Sequence, residues 1–307
     1  MPELREVTSG LRFPEGPIAM PDGSVVVVEI QGGTLARVSP DGSIERFADC
    51  GGGPNGAAVG PDGAIYVCNN GGFVWFEVDG ITAPGPQPPD YIGGRIQKVD
   101  PATGTVEDLY TECDGRGLRG PNDIVFDAEG GFYFTDLGKT RDREVDRGAL
   151  YYALPDGSSI REIVFPLDHP NGVGLSPDGT RLYVAETMTG RVWQWEVEGP
   201  GVLKPGTQLY TPAGATLLHS FEGFQLLDSL AVDSEGNVCV ATLLTGAITA
   251  ITPDGKVKEV VKVPEYDVFV TNICFGGDDL RTAYITSSGR GKLYATEWSC
   301  PGLRLNF

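Results

Sequence analysis

The stretch Leu118–Asp136 states the rule by which this chain is built. A Pro121-Asn122-Asp123 turn enters a short apolar strand, a turn over 127–130 reverses it, and an aromatic, β-branched strand ends on Asp136. The unit aligns in six copies, opened by Pro14-Glu15-Gly16, Pro54-Asn55-Gly56, Pro121-Asn122-Asp123, Pro170-Asn171-Gly172, Leu227-Asp228-Ser229 and Val270-Thr271-Asn272. Each opening is followed by a second turn, such as Pro21-Asp22-Gly23, Pro61-Asp62-Gly63 or Pro177-Asp178-Gly179. Proline presets φ there and glycine accepts a positive one, so these turns have a mechanism. Beyond the second strand, further Pro-Asp-Gly turns at 40–42, 155–157 and 253–255 separate a third strand from a fourth.

Antiparallel strands in groups of four, repeated six times, predict an all-β fold, a six-bladed β-propeller with four antiparallel strands per blade. A sandwich or jelly roll would not explain the repeat. The chain is read as a single propeller domain over 1–307. The last copy runs out near Trp298, one strand short, and Leu4–Ser9 before the first copy can supply it. The ring is then closed by an N-terminal strand joining the last blade, which removes an exposed edge. Openings lie roughly 40 to 67 residues apart, so the wide gaps hold insertions. These are Ile81–Gly94, Lys139–Arg147 and Gly199–Phe224, which are expected to roof the pocket and carry specificity. The tyrosines at 66, 133, 183 and 284 recur at one register and are read as packing between blades. Of Trp193 and Trp195, one ring is expected inside and the other outside.

Charge and cysteine content narrow the partners. Against 42 acidic residues stand 23 basic ones, a formal charge of −19. That field repels nucleic acid and anionic membrane surfaces, so neither is an expected partner. The six cysteines show no CxxC pair or metal-ligand spacing. No signal peptide is visible and no apolar run approaches a membrane span, so the expectation is a soluble cytoplasmic protein. Two GxGxxG matches, at 51–56 and 115–120, open no helix of a βαβ unit and are rejected as dinucleotide sites. With only His169 and His219 and no GxSxG, a Ser-His-Asp hydrolase is rejected too.

In a propeller the innermost strands line a central channel, and equivalent turns of all blades meet at one end of it. That places Glu15, Asn55, Asn122, Asn171, Asp228 and Thr271 or Asn272 around one mouth. The ring offers carboxylates and amide oxygens, with no thiolate or imidazole. Hard oxygen donors of this kind suit Ca²⁺, which accepts six to eight of them. Any one Pro-Asn-Gly is an ordinary turn, but glutamate is a poor turn residue, and a carboxylate in the same register favours a shared cation. The second copy opens with Asn55 and ends its second strand with Cys68-Asn69-Asn70, polar groups near the mouth that can orient substrate hydroxyls.

The chain resembles the gluconolactonase, senescence-marker-protein and luciferin-regenerating-enzyme family of six-bladed propellers. The residues that carry the likeness are Phe13–Pro17, Pro121-Asn122-Asp123 with Tyr133–Asp136, Pro170–Val173 with Ser176–Gly179, and Leu227–Asp233. The resemblance implies a divalent metal, Ca²⁺ or in its place Zn²⁺, Mn²⁺ or Mg²⁺, held by Glu15, Asn171 and Asp228. Asn122 is implied as a fourth ligand or a substrate contact. The family's substrate arginine lies two residues before that asparagine in some members. Gly120 stands there in this chain, with Arg119 one residue further off as the candidate. Asp136 resembles a position that often faces the pocket. The implied reaction is hydrolysis of a small lactone, most plausibly a sugar lactone, with the carbonyl polarised by the metal and Asp228 as base. A metal-bound water is the competing nucleophile. The rivals are a phosphotriester or fluorophosphate hydrolase on the same metal, and a non-catalytic NHL-type binding propeller.

Overall fold

The structure is a computed structural model that describes residues 3–307. Six antiparallel sheets follow one another around a ring. Blade I holds Pro14–Ala19, Val25–Glu29, Thr34–Val38 and Ile44–Asp49, and blades II, III and V repeat that order. The inner strands of blades II to VI are Pro54–Val59, Pro121–Phe126, Pro170–Leu175, Leu227–Val232 and Val270–Gly276. In blade VI the outermost strand is Arg5–Ser9, paired with Lys292–Glu297, so the chain ends are spliced into one sheet as the repeat count required. Each inner strand touches the next around the ring, and that of blade VI touches that of blade I.

The second strands are buried on both faces, which is why Val25–Glu29 and Phe132–Asp136 read as continuous apolar runs. Six apolar clusters result, one at each junction between neighbouring blades. Tyr66 reaches from blade II into Phe126 and Phe132 of blade III, with ring centroids 5.2 and 5.8 Å away. Tyr133 and Tyr183 are equally buried, so this register packs blade on blade. Both Trp193 and Trp195 are buried, against the expectation of one exposed ring. Residues two apart share a face of a strand, so the rings point the same way. The segment after the strand then covers Trp195, whose Nε1 donates to Pro212 O at 3.1 Å.

Strand direction decides what each insertion covers. Residues 70–94 and 137–147 join a second strand to a third and stand on the mouth side. They are stitched together: Gln87 N donates to Thr140 O, and Arg141 binds Asp146 at 2.7 Å and Gln87 at 3.3 Å. The hairpin of Trp75–Val78 and Ile81–Pro84 reaches over blade I to blade VI, where Thr82 N donates to Gly289 O. The third expected roof segment is corrected. Most of Gly199–Phe224 follows a descending third strand and lies at the opposite end, where Gly201 N donates to Tyr133 OH at 3.0 Å. Only residues 221–226 return to the mouth.

The segment after Trp298 crosses that lower end. Ser234 N donates to Pro301 O, Leu303 N to Val232 O, and Asn306 Nδ2 to Phe126 O, so the tail passes blade V and reaches blade III. Phe307 packs on Phe126 with centroids 5.9 Å apart.

Candidate metal centre

Every inner strand breaks register with its neighbour near its start, after the first residue in five blades and after the second in blade I. Pro54 pairs with Asn69 and the ladder resumes at Ala57; Pro121 pairs with Asp136 and resumes at Ile124; Pro170 pairs with Glu186 and resumes at Val173. Blades I, V and VI shift between Glu15 and Ile18, Leu227 and Leu230, and Val270 and Asn272. Bulges of this kind re-aim side chains. Here Asn55, Asn122, Asn171, Asp228 and Thr271 all lie off the ladder, with Glu15 the last paired residue before its own bulge. Glu15, Asn55, Asn122, Asn171 and Thr271 are buried, and Asp228 keeps part of its surface exposed.

The glycine after the opening residue has a role that turn chemistry does not reveal. A Cβ at Gly16 would lie 2.6 Å from Asn55 O, one at Gly56 2.4 Å from Asn122 O, and one at Gly172 2.9 Å from Asp228 O. Gly56 and Gly172 have ordinary φ, so close approach of neighbouring inner strands, not a left-handed backbone, demands glycine there. Blades III, V and VI place side chains at that position instead, and these bind across the ring. Asp123 accepts Ile124 N and Val173 N, both at 3.0 Å. Ser229 Oγ lies 3.3 Å from Asn171 Oδ1, and Asn272 Nδ2 donates to Glu15 Oε2 at 2.7 Å.

Three acceptor oxygens of this ring are left over. Glu15 Oε1, Asn55 Oδ1 and Asn122 Oδ1 are buried and have no hydrogen-bond partner. An orphaned buried acceptor is costly and rare. Asp228 Oδ1 accepts Ser229 N at 3.1 Å, and the Asn171 side chain also favours the charged form of this carboxyl. Burial pushes the Glu15 carboxyl up to about 7, and hydrogen bonds from Asn272 and Gly16 limit the rise. Burial, with the Glu15 charge second, pushes Asp123 up to about 8 and Asp228 well above the carboxylate range. Carboxyl groups are crowded together here, and among the described residues no cationic side chain binds any of them. A dication reverses that balance, so the donors fit a hard divalent ion such as Ca²⁺. Among the described residues no three His, Cys, Asp or Glu side chains form a metal cage. An ion held at this ring would therefore need asparagine oxygens as well as carboxylates.

The remaining expected site residues stand outside this ring. Asp136 accepts the N–H groups of Arg119, Gly120 and Gly138 at 2.8, 2.7 and 2.9 Å. Asn69 accepts Gly53 N and Gly71 N and donates to the carbonyls of Cys50 and Gly51 and to Gln97. Both side chains are saturated by the loops they hold. Arg119 is exposed on a rim cleft of about 350 Å³ that it shares with Tyr91, Arg95 and Asp108. His169 has φ 51° and binds Asp168 at 2.8 Å. The sequence reading passed over Asp123 as part of a turn, although an acidic residue in a register otherwise held by glycine was its signal.

Comparison with known proteins follows the same ring. A family model described as the SMP-30/Gluconolactonase/LRE-like region matches residues 13–289. The gluconolactonase of Zymomonas mobilis is 26% identical over 315 residues, covering 93% of this chain and 79% of its own. The lactonase drp35 of Staphylococcus haemolyticus is 29% identical, covering 83% and 70%. Among solved structures, a gluconolactonase of Xanthomonas campestris superposes with a TM-score of 0.75 at 22% identity over 96% of this chain and 89% of that one. A calcium-binding regucalcin of Agrobacterium tumefaciens gives 0.71 at 17%, covering 97% and 98%. At those identities the structures establish the fold.

Proposed function

This chain belongs to the SMP-30/gluconolactonase/LRE-like family, and from that premise we propose that it is a Ca²⁺-dependent hydrolase that opens a small lactone. Relatives named gluconolactonase and lactonase support the reaction class. The single observation that carries the metal is the pair of buried, unpartnered oxygens Glu15 Oε1 and Asn122 Oδ1 on two members of the ligand set. No helix among the described residues is long and apolar enough to cross a membrane.

Glu15, Asn122, Asn171 and Asp228 would hold the ion. Bound there, a divalent cation supplies Lewis-acid polarisation of the lactone carbonyl and a counter-charge for the developing oxyanion. Asn272 fixes the Glu15 carboxylate from blade VI. Ser229 N–H and the Asn171 side chain orient the Asp228 carboxylate, which takes the proton of the attacking water. The acyl–oxygen bond then breaks, the ring oxygen takes up a proton, and the product is the open hydroxy acid. The roof over blades VI, I, II and III screens the site from bulk water. A sugar lactone is the proposed substrate class, supported by the polar blade II wall.

The test compares chelated protein, Ca²⁺-restored protein and Asp228→Ala on aldonolactones, with a phosphotriester as the parallel substrate. Activity lost on chelation, regained with Ca²⁺ and missing in the variant is the expected result. Absence of divalent-ion binding overturns the metal site. Phosphotriester turnover without lactone turnover overturns the substrate class and keeps the ion.

A further inference from the structure

The residue that follows each second strand forms another ring, directly above the bulges: Ile30, Asn70, Leu137, Thr187, Leu243 and Ser288. Two of its polar members touch side chains of the ring below. Thr187 Oγ1 accepts from Asn171 Nδ2 at 3.3 Å, and Ser288 Oγ binds Thr271 Oγ1 and Pro14 O. Asn70 is the third polar member. Its backbone N–H donates to Gly53 O at 2.8 Å, one step from the Pro54–Asn69 pair, so it stands diagonally above Asn55.

Asn70 is 2% exposed, and its Nδ2 has no partner. The amide cannot be turned to repair this, because Oδ1 is fixed by two donors: Gly72 N at 2.8 Å and Lys139 Nζ at 3.4 Å. Lys139 is itself buried in the blade III insertion, donates to Gly72 O at 2.6 Å, and lies 4.1 Å from the centre of the Phe73 ring. The seat is built around small residues. Gly71 and Gly72 adopt φ of 80° and 90°, and a Cβ at Gly53 would lie 2.5 Å from Asn70 Oδ1. On blade II an unpartnered donor, Asn70 Nδ2, and an unpartnered acceptor, Asn55 Oδ1, thus belong to residues one diagonal step apart on adjacent strands. A hydroxyl group is the simplest group that answers both: its oxygen accepts from the amide and its hydrogen donates to the other side chain.

We propose that Asn55 and Asn70 form a hydroxyl-reading subsite, which makes a hydroxylated lactone the preferred substrate over an unsubstituted one. The inference rests on the lactonase reading above. Lys139 is a positioning residue that acts through Asn70.

The test measures kcat/KM on D-glucono-1,5-lactone and on unsubstituted δ-valerolactone for wild type, Asn55→Ala, Asn70→Leu and Asn70→Asp. Asn70→Asp keeps the acceptor toward Gly72 and Lys139 and removes only the donor, so it controls for misfolding. Leaving a built hydrogen-bonding site unsatisfied should cost roughly 10- to 100-fold on the hydroxylated lactone, and less than about threefold on δ-valerolactone. Equal losses on both substrates, or none, overturn the subsite. Ca²⁺ titrations of the same proteins should agree within about threefold. A tenfold loss of affinity in Asn55→Ala alone would make Asn55 a metal ligand and overturn the pair. If wild type opens neither lactone, the lactonase reading fails by itself, and calorimetric binding of 1,5-anhydroglucitol decides the subsite. Binding weakened at least tenfold in Asn70→Asp upholds it; equal binding in both proteins overturns it.

Discussion

Asn272 Nδ2 donates to Glu15 Oε2 at 2.7 Å, joining the last inner strand to the first across 257 residues of chain. The ring is thus closed twice, once at its rim by Arg5–Ser9 and once at the candidate metal centre. The second closure occupies one Glu15 oxygen and leaves Oε1 without a protein partner.

Removing that clamp should be felt before any ligand is added. Asn272→Leu strips a buried carboxyl of its side-chain donor and should destabilise the metal-free protein by about 1–3 kcal/mol. Urea unfolding of the chelated protein measures this, and an unchanged midpoint would show that the clamp contributes nothing.

A site that crowds carboxyl groups without a cation should gain stability when one arrives. At a free Ca²⁺ concentration of 100 times Kd, binding to the folded state alone should add about 2.7 kcal/mol. Glu15→Gln should lose most of this response, because it removes a ligand charge next to Asp228 and Asp123. Thermal unfolding with and without Ca²⁺ reads both effects; an equal shift in wild type and variant would remove Glu15 from the ligand set.

Two glycines that look alike in the sequence should behave differently. Gly172→Ala places a methyl 2.5 Å from Leu230 N inside the ring, whereas Gly179, at φ +67°, has nothing within 4 Å. Overpacking at Gly172 should cost about 2–3 kcal/mol and weaken Ca²⁺ binding through Asp228. Gly179→Ala should cost about 1 kcal/mol, from its left-handed backbone alone. Equal losses in urea would remove close approach as the reason for Gly172.

Lys139 supplies a pH signature. Desolvation lowers its ammonium to about 7, with the Asp136 charge opposing the fall. Since the folded state releases this proton before the unfolded chain does, stability rises as pH increases from about 7 toward the ordinary lysine range. It is lost again as pH falls through 7. Between pH 7 and 9 wild type should gain on the order of 2 kcal/mol relative to Lys139→Met. Parallel urea midpoints for the two proteins over that range would refute the assignment.

The tail across the lower end should be structural. Deleting 302–307 removes the Leu303–Val232 and Asn306–Phe126 hydrogen bonds and the Phe307 contact. A loss of about 2–3 kcal/mol is expected from those bonds and the exposed apolar area. Full retention of the unfolding midpoint would show that the tail merely rests on the surface.

Blade number, strand order and the level of the opening residues were legible because each follows from local chemistry. Proline and glycine punctuate, alternation marks strands, and six aligned copies place six residues at one height. Glu15, Asn55, Asn122, Asn171 and Asp228 could be placed in one ring for the same reason, being polar at equivalent openings, whereas the choice of four among them as metal ligands is what the family resemblance implies. Asn69 and Asp136 were misleading: they share that polarity but hold entering loops through backbone N–H groups. Trp195 misled through a wrong count of strand faces, and Gly199–Phe224 because its end of the barrel depends on strand direction.

By itself, then, the sequence determined the repeated unit, its closure, and the oxygen-rich character of the ring, since these depend on residues a few positions apart. Only the tertiary structure decided which of those oxygens remain without partners. That outcome depends on contacts such as Asn272 with Glu15 and Lys139 with Asn70, separated by 257 and 69 residues. A side chain's hydrogen-bonding capacity is written in its identity, but whether it is used up depends on which distant strands the closed ring brings beside it.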